Sequence, residues 1–236
     1  MWNVLRASFA AAAVAATLIG PASAAAETVA MIGTGNVGAA LGRRFAENGH
    51  TVVYGSRDPS AADVRELVAV TGHGATAVTQ AQAAVQADVV VLAVPWTAVE
   101  DVVRALPDLS GKIVVDPTNP RVTASDGFAD YPIEDSNAER IARLAPGAKV
   151  VKAFSTLGFE TMLDPKVADG PVTVPIVGDD RAAKERVATL AREIGLEAVD
   201  VGPLRHARII EGLHYLRANA YGGRINYHLP RDHARD

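Results

Sequence analysis

The chain has 236 residues, of which 49% are hydrophobic, enough for one large α/β domain with a sizeable core. Its formal net charge is −4 and it contains no basic run, which argues against a nucleic-acid partner. Because the chain has no cysteine, thiol catalysis, cysteine-ligated metal and disulfides are excluded.

The first 24 residues have the layout of a secretory signal peptide. Arg6 precedes an uncharged apolar run over residues 7–19, and the A-x-A sequence Ala22-Ser23-Ala24 follows. The run is too short to cross a bilayer, so we expect no stable membrane span. The pattern predicts cleavage after Ala24 and export to the periplasm or the medium. A cytoplasmic protein with an alanine-rich extension is the alternative.

A glycine-rich turn follows the first predicted strand. The apolar run 29–32 leads into Gly33-Thr34-Gly35-Asn36-Val37-Gly38, and Val37, Leu41 and Phe45 then recur at helical spacing. In the fingerprint G-x-G-x-x-G, the first glycine permits a tight turn and the second lets a pyrophosphate approach the backbone. The third lets the helix pack on the sheet. Because a strand precedes and a helix follows, the turn predicts a dinucleotide site.

The end of the second predicted strand, 51–54, indicates which dinucleotide binds. NAD enzymes usually place an acid there, whereas this chain has Gly55-Ser56-Arg57. A guanidinium pairs with a 2′-phosphate and a hydroxyl adds a donor, so Ser56 and Arg57 favour NADP(H). Asp58 is the competing acid. Since Pro59 follows it, we expect Asp58 to cap a helix instead.

Strands and helices alternate along the rest of the chain. The predicted helices are 63–70, 79–86, 96–106, 137–144, 180–194 and 204–220, and the predicted strands are 75–78, 88–94, 112–115, 149–153, 172–177 and 198–201. Two long loops, 116–135 and 154–171, interrupt them. The alternation predicts an α/β fold over residues 27–221, with a doubly wound, mainly parallel Rossmann sheet, a small C-terminal extension and a polar tail, 222–236.

Three predicted strands are followed by unusual residues, in segments 94–96, 116–120 and 153–156. Ligands of such sheets lie at the carboxyl ends of the strands, and Asn119 there can donate to and accept from a ribose or a carboxamide. None of the six histidines follows a central strand, and most are expected at the surface, with His206 and His214 on one helix face. We therefore expect no catalytic acid or base. Hydride transfer between two stacked rings needs none.

These motifs resemble the coenzyme F420-dependent NADP reductases and, more distantly, the cytosolic domain of the six-transmembrane ferric reductases. The resemblance implies that Thr34, Asn36 and Val37 bind the pyrophosphate and that Ser56 and Arg57 bind the 2′-phosphate. Ala93, Val94 and Pro95 would lie beside the nicotinamide ribose. The predicted cofactor site comprises Gly33, Thr34, Gly35, Asn36, Val37, Gly38, Ser56, Arg57, Ala93, Val94, Pro95, Asn119 and Ala153, and we expect no metal site.

The expected function is NADPH-dependent oxidoreduction, with hydride passing between NADP(H) and a small-molecule acceptor of the deazaflavin or flavin type, coenzyme F420 among them. A ferric or quinone reductase of similar fold is one alternative. An NADPH-binding sensor without turnover is another. The sequence leaves the oligomeric state open, a homodimer included.

Overall fold

The computed structural model describes residues 26–220 and 226–228. Its strands are β1 (Thr28–Ile32), β2 (Thr51–Ser56), β3 (Thr76–Thr79), β4 (Val89–Leu92), β5 (Ile113–Asp116), β6 (Val122–Thr123), β7 (Ala129–Asp130), β8 (Lys149–Lys152), β9 (Thr173–Gly178) and β10 (Glu197–Asp200). Its α-helices are α1 (Asn36–Glu47), α2 (Ala62–Thr71), α3 (Gln80–Gln86), α4 (Val99–Ala105), α5 (Asn137–Leu144), α6 (Phe159–Leu163), α7 (Arg181–Glu193) and α8 (Ala207–Asn219).

Eight of the strands form one sheet in the order β10-β9-β8-β5-β4-β1-β2-β3. The run from β3 to β8 is parallel and has the doubly wound arrangement that the alternating elements predict. β9 pairs antiparallel with β8, and β10 pairs parallel with β9. These two strands, with α7 and α8, form the predicted small αβ extension at the C-terminal end. The order reverses between β1 and β4, so a crevice opens there at the carboxyl ends of the strands.

The sheet separates two hydrophobic cores, because successive side chains of a strand point to opposite faces. Along β1, Val29 and Met31 join the core beneath α1, α6 and α7, whereas Ala30 and Ile32 join the core beneath α3, α4, α5 and α8. β4 is buried along its whole length, which explains the continuous apolar run that predicts it.

Helix starts follow local side-chain chemistry. Thr79 caps α3 and Ser136 caps α5, each in a capping box with the residue three positions on. Asp180 caps α7 by accepting from the amide of Ala183 at 2.8 Å.

Two predicted loops and one predicted cap are wrong in detail. The segment 116–135 contains the β6–β7 hairpin, and the segment 154–171 contains α6 and a 3₁₀ turn, Pro165–Val167. The Asp58 carboxylate accepts from the amide and hydroxyl of Ser60, so it closes a local turn, and α2 begins only at Ala62. Short side-chain hydrogen bonds of this kind compete with helix starts and are hard to tell apart in a sequence.

The predicted signal peptide and most of the predicted tail lie outside the described residues. Within the tail, the Tyr227 carbonyl accepts from the amide of Thr173 at 2.7 Å, so residues 226–228 pack beside the start of β9. Among the helices that the structure describes, none is long and apolar enough to cross a membrane.

Candidate functional site

The glycine-rich turn between β1 and α1 has the geometry of a dinucleotide cradle. Gly33 has φ +114°, and a Cβ there would lie 2.3 Å from the Ala93 carbonyl oxygen, so only glycine fits. A Cβ on Gly38 would lie 2.1 Å from the Gly33 carbonyl oxygen, which explains how closely α1 packs on the turn. A Cβ on Gly35 would meet nothing within 4 Å. The backbone at Gly35 is therefore open to a ligand, and the unpaired amides of the α1 N-terminus are available to phosphate.

A cavity of about 600 Å³ extends from this turn to the end of β2. Five residues of the predicted cofactor site line it: Gly33, Thr34, Gly35, Ser56 and Arg57. The Arg57 side chain is exposed and has no ion-pair partner among the described residues.

The neighbouring groups at the end of β2 are held locally. The Ser56 hydroxyl is buried and exchanges hydrogen bonds with the Asp58 backbone. Asp58 also lines the cavity, and its hydrogen bonds from the Ser60 side chain and amide lower the pKa of its carboxyl. Arg57 therefore supplies the free positive charge at this end.

A second cavity, of about 480 Å³, lies on the other side of the turn. It shares the wall formed by Gly35, Ala93, Val94 and Pro95 with the first cavity. Its remaining walls come from the start of α1 and from the segments after β4 and β5, with one residue from α8: Asn36, Val37, Leu92, Trp96, Pro117, Thr118, Asn119, Arg121 and His214. The two cavities therefore adjoin at this wall, at the carboxyl edge of the sheet, and together they are termed the trough.

Asn119 is oriented towards a partner that the described residues do not supply. Its Nδ2 donates to the Ser155 carbonyl at 2.7 Å, while its Oδ1 is buried and has no hydrogen-bond partner. Phe154, buried just before Ser155, has φ +64°, a strained conformation for a bulky residue that helps turn this segment. An unsatisfied buried acceptor in the wall and an open glycine cradle both fit a bound dinucleotide.

A fully buried ion cluster holds the segment after β5 in place. Lys152 Nζ lies 2.9 Å from Asp116 Oδ2 and 2.7 Å from Glu211 Oε1, and all three side chains are inaccessible to solvent. Asp116 Oδ1 in turn accepts from the amide and hydroxyl of Thr118. Asn137 Nδ2 donates to that hydroxyl at 2.5 Å. The cluster therefore fixes the wall residue Thr118 from beneath.

The charges in this cluster depend on one another. Burial by itself would lower the pKa of Lys152, but the carboxylates of Asp116 and Glu211 outweigh it and raise that pKa. Burial raises the pKa of Glu211, an effect that Lys152 partly offsets. Lys152 is thus charged at neutral pH, and removing it would leave buried acids without a counter-ion.

The structure corrects the expected position of three histidines, whereas His73 and His228 are exposed as expected. His50 is buried, with its ring held by the amide of Glu27 and by Glu193. His206 lies ahead of α8, bonded through Nδ1 to the Val201 carbonyl, so His206 and His214 do not share a helix face. His214 lines the second cavity. Burial first, and then Arg121, Arg217 and Lys152, lower the pKa of His214 to about 4, so its ring is neutral at pH 7.

The residues of the predicted cofactor site therefore fall into three groups. Most of it lines the trough, Gly38 acts through packing, and Ala153 is buried behind the strand end without lining either cavity. The sequence reasoning missed His214, Arg121 and the Lys152 cluster. The one available signal was the placement of Asp116 and Lys152 at the ends of apolar strands, where a charge is costly unless it is paired.

Comparisons with known proteins identify the family of this chain. The profile of the family described as NADP oxidoreductase, coenzyme F420-dependent, matches residues 28–120. The F420-dependent NADP reductase of Methanothermobacter thermautotrophicus is 35% identical over 201 residues, covering 79% of this chain and 85% of that protein. The chain belongs to the F420-dependent NADP oxidoreductase family. It is an NADP-dependent oxidoreductase with a Rossmann-like fold.

Two further relatives show how far the family likeness extends. A crystal structure from Arthrobacter sp. FB24, described as a candidate F420-dependent NADP-reductase, superposes with a TM-score of 0.80 at 31% identity. The match covers 87% of this chain and 100% of that one. Metalloreductase STEAP3 of Rattus norvegicus is 31% identical over 186 residues, but the match covers only 36% of that protein against 78% of this chain.

Proposed function

We propose that the protein passes hydride between NADP(H) and a ring acceptor of the deazaflavin or flavin type, with coenzyme F420 as the leading candidate. One observation carries the proposal. The two cavities share the wall of Gly35, Ala93, Val94 and Pro95, so one trough runs from Arg57 to His214. Cavities of 600 and 480 Å³ are each within the usual range for small-ligand sites. In this proposal the dinucleotide lies in the first cavity and along the shared wall, and the far end of the second cavity takes the second ring.

The residues of the trough have separate tasks in this proposal. Arg57 pairs with the 2′-phosphate and the amides at the α1 N-terminus hold the pyrophosphate. Asn119 Oδ1 accepts a hydrogen bond from the carboxamide or the ribose. When bound, NADPH supplies the hydride. The protein contributes mainly the alignment of two rings at near-attack distance, about 3–3.5 Å.

The side chains of the second cavity suit a transfer that needs no side-chain proton. Among the described residues that line it, Arg121 and His214 are the titratable ones. Arginine stays protonated, and the His214 ring is neutral at pH 7. The F420-dependent relatives support this acceptor class. The match to STEAP3 keeps a ferric reductase as the second candidate, although the chain spans about a third of that protein.

A turnover assay with NADPH tests the proposal. We expect oxidation of NADPH with coenzyme F420 or a flavin, slowed when NADPH carries deuterium at the transferred position unless product release limits the rate. Turnover with Fe(III)-citrate alone would establish the second candidate, and turnover with a quinone alone would indicate a quinone reductase. Tight NADPH binding without turnover on any acceptor would identify a sensor. A Gly35→Ala variant, which we expect to bind NADPH poorly, controls for background oxidation.

We also propose that the protein is exported, on the strength of the sequence pattern in residues 1–24. N-terminal sequencing of the native protein tests this. A mature chain that starts at Ala25 supports export, whereas an intact Met1 supports a cytoplasmic protein and the intracellular pool of NADPH.

A further inference from the structure

Part of the second cavity wall is not explained by NADPH binding. Trp96, Arg121 and His214 lie outside the glycine-rich turn and come from three separate segments of the chain. Trp96 Nε1 donates to the Arg121 carbonyl at 3.0 Å, which ties the first two segments together. The Tyr215 hydroxyl donates to the Pro120 carbonyl, which ties α8 to the same loop. Three elements are thus fastened around one end of the cavity.

His214 is held in this wall without a hydrogen-bond partner. Its Nδ1 is buried and has no hydrogen-bond partner within the described part of the chain. The ring packs edge-on against Tyr215, with centroids 6.0 Å apart and an interplanar angle of 84°. A polar group left unpaired in a wall costs stability, which points to a partner supplied from elsewhere. A neutral imidazole can both donate and accept a hydrogen bond.

The charge around this end of the cavity is positive. Arg121 is exposed, lines the cavity and has no ion-pair partner among the described residues. Arg217 also acts on His214. The nearby acids, Asp116 and Glu211, are buried and already paired with Lys152. An anion that enters here therefore meets a free guanidinium.

We propose that Arg121 and His214 select the acceptor, Arg121 by pairing with an anionic group on an aromatic acceptor and His214 by hydrogen bonding to its polar ring edge. Trp96 supplies an aromatic contact for the ring. The inference rests on the proposed function and deepens it. It states that the second substrate is an anionic aromatic molecule and names the residues that recognise it.

Two flavins that differ in charge separate these roles. FMN and riboflavin share one ring system, but FMN carries a phosphate. We expect Arg121→Gln to raise the KM for FMN at least tenfold and to leave that for riboflavin within twofold. We expect His214→Leu to raise both KM values at least tenfold and His214→Gln to restore them to within threefold. In each variant kcat should change less than threefold and NADPH affinity less than twofold.

Binding can be measured without turnover, because Trp96 is one of only two tryptophans. In a Trp2→Phe background, Trp96 fluorescence reports on the second cavity. We expect FMN to quench it with a lower Kd than riboflavin does. Arg181→Gln is a matched control, since Arg181 is exposed and lines a separate cavity with Lys184 and Asp200. This charge change should leave both titrations unaltered.

The outcomes separate the two proposals. If none of the acceptors supports NADPH oxidation by the wild-type protein, the proposed function fails. The Trp96 fluorescence titrations still decide this inference, because they measure binding. If wild type binds neither flavin and also fails to bind coenzyme F420 in the same titration, the anionic aromatic class is wrong. Equal effects of Arg121→Gln on both flavins would remove the charge-pairing role. Unchanged flavin affinity in His214→Leu would remove the role of His214.

Discussion

Two glycines of the turn, Gly35 and Gly38, provide a matched pair of substitutions: one should weaken ligand binding and the other should weaken the fold. A Cβ on Gly38 would lie 2.1 Å from the Gly33 carbonyl oxygen, whereas a Cβ on Gly35 would meet nothing within 4 Å. Gly35 has φ −76° and ψ −173°, which alanine adopts without strain. Gly38→Ala should therefore damage the fold, and Gly35→Ala should damage only the ligand site.

The magnitudes follow from these contacts. Overpacking at Gly38 costs about 1–3 kcal/mol, and the better helix propensity of alanine returns up to about 1 kcal/mol. We expect a net loss of about 1–2 kcal/mol, which lowers Tm by roughly 2–8 °C. At Gly35, alanine stabilises the protein by lowering the entropy of the unfolded chain and destabilises it because it is a poorer N-cap than glycine. These effects nearly cancel, so Tm should stay within about 4 °C of wild type. A clash of about 1–3 kcal/mol with bound pyrophosphate corresponds to roughly 5- to 150-fold weaker NADPH binding.

Thermal unfolding with and without NADPH measures both effects. At 100 times Kd, a ligand stabilises the wild-type protein by about 2.7 kcal/mol, or roughly 5–11 °C in Tm. At the same NADPH concentration, Gly35→Ala should lose roughly a third to nine-tenths of that increase, for 5- to 150-fold weaker binding, while keeping the Tm of the free protein. If Gly35→Ala keeps the full increase, the pyrophosphate does not lie over this turn. If Gly38→Ala matches wild type, the packing of α1 is looser than described.

Three further predictions concern charged groups. Arg57→Ala should weaken NADPH binding by about 1.5–3 kcal/mol, the loss of a charge-assisted hydrogen bond, and leave NADH binding unchanged in titrations; equal losses would contradict a 2′-phosphate site. Lys152→Met should lower the free energy of unfolding in urea by about 3–5 kcal/mol. The double variant Lys152→Met with Glu211→Gln should lose less, because it leaves one fewer uncompensated buried acid. An equally large loss in both variants would assign the effect to packing. The lowered pKa of His214, about 4 against 6.5 unfolded, means that the unfolded state binds more protons between these values. Wild type should therefore lose stability relative to His214→Gln as the pH falls from 7 to 4.5, and parallel pH profiles would show that His214 titrates normally.

The fold could be predicted well because its signals are local. The apolar run of β4 and the stripe of Leu41 and Phe45 on α1 report burial directly. All eight predicted strands occur in the main sheet, with ends shifted by one or two residues. The hairpin β6–β7 was not predicted because two-residue strands show almost no periodicity in the sequence. α6 escaped because it has only five residues.

The candidate site was predictable only where one short segment builds it. The turn 33–38 and the pair Ser56-Arg57 each contribute within a few residues, so their spacing carries the chemistry. His214 could not be found in this way. It meets Arg121 and Trp96 only because α8 packs against the loop after β5, and nothing in the residues around position 214 indicates that contact. Ala153 shows the converse, a strand-end position that the fold buries.

The sequence by itself determined the nucleotide end of this protein: a strand, a glycine turn and a helix whose local conformations leave Gly35 open to phosphate. It also determined the sheet that presents this turn, since apolar periodicity and parallel crossovers leave few topologies. The tertiary structure alone decided the second cavity, where we propose that the acceptor binds. The ion cluster of Asp116, Lys152 and Glu211 joins positions far apart in the chain, and its charges are tolerated only because each finds its partner on folding. Because such side chains become neighbours only through tertiary packing, no characteristic spacing in the sequence predicts their contact.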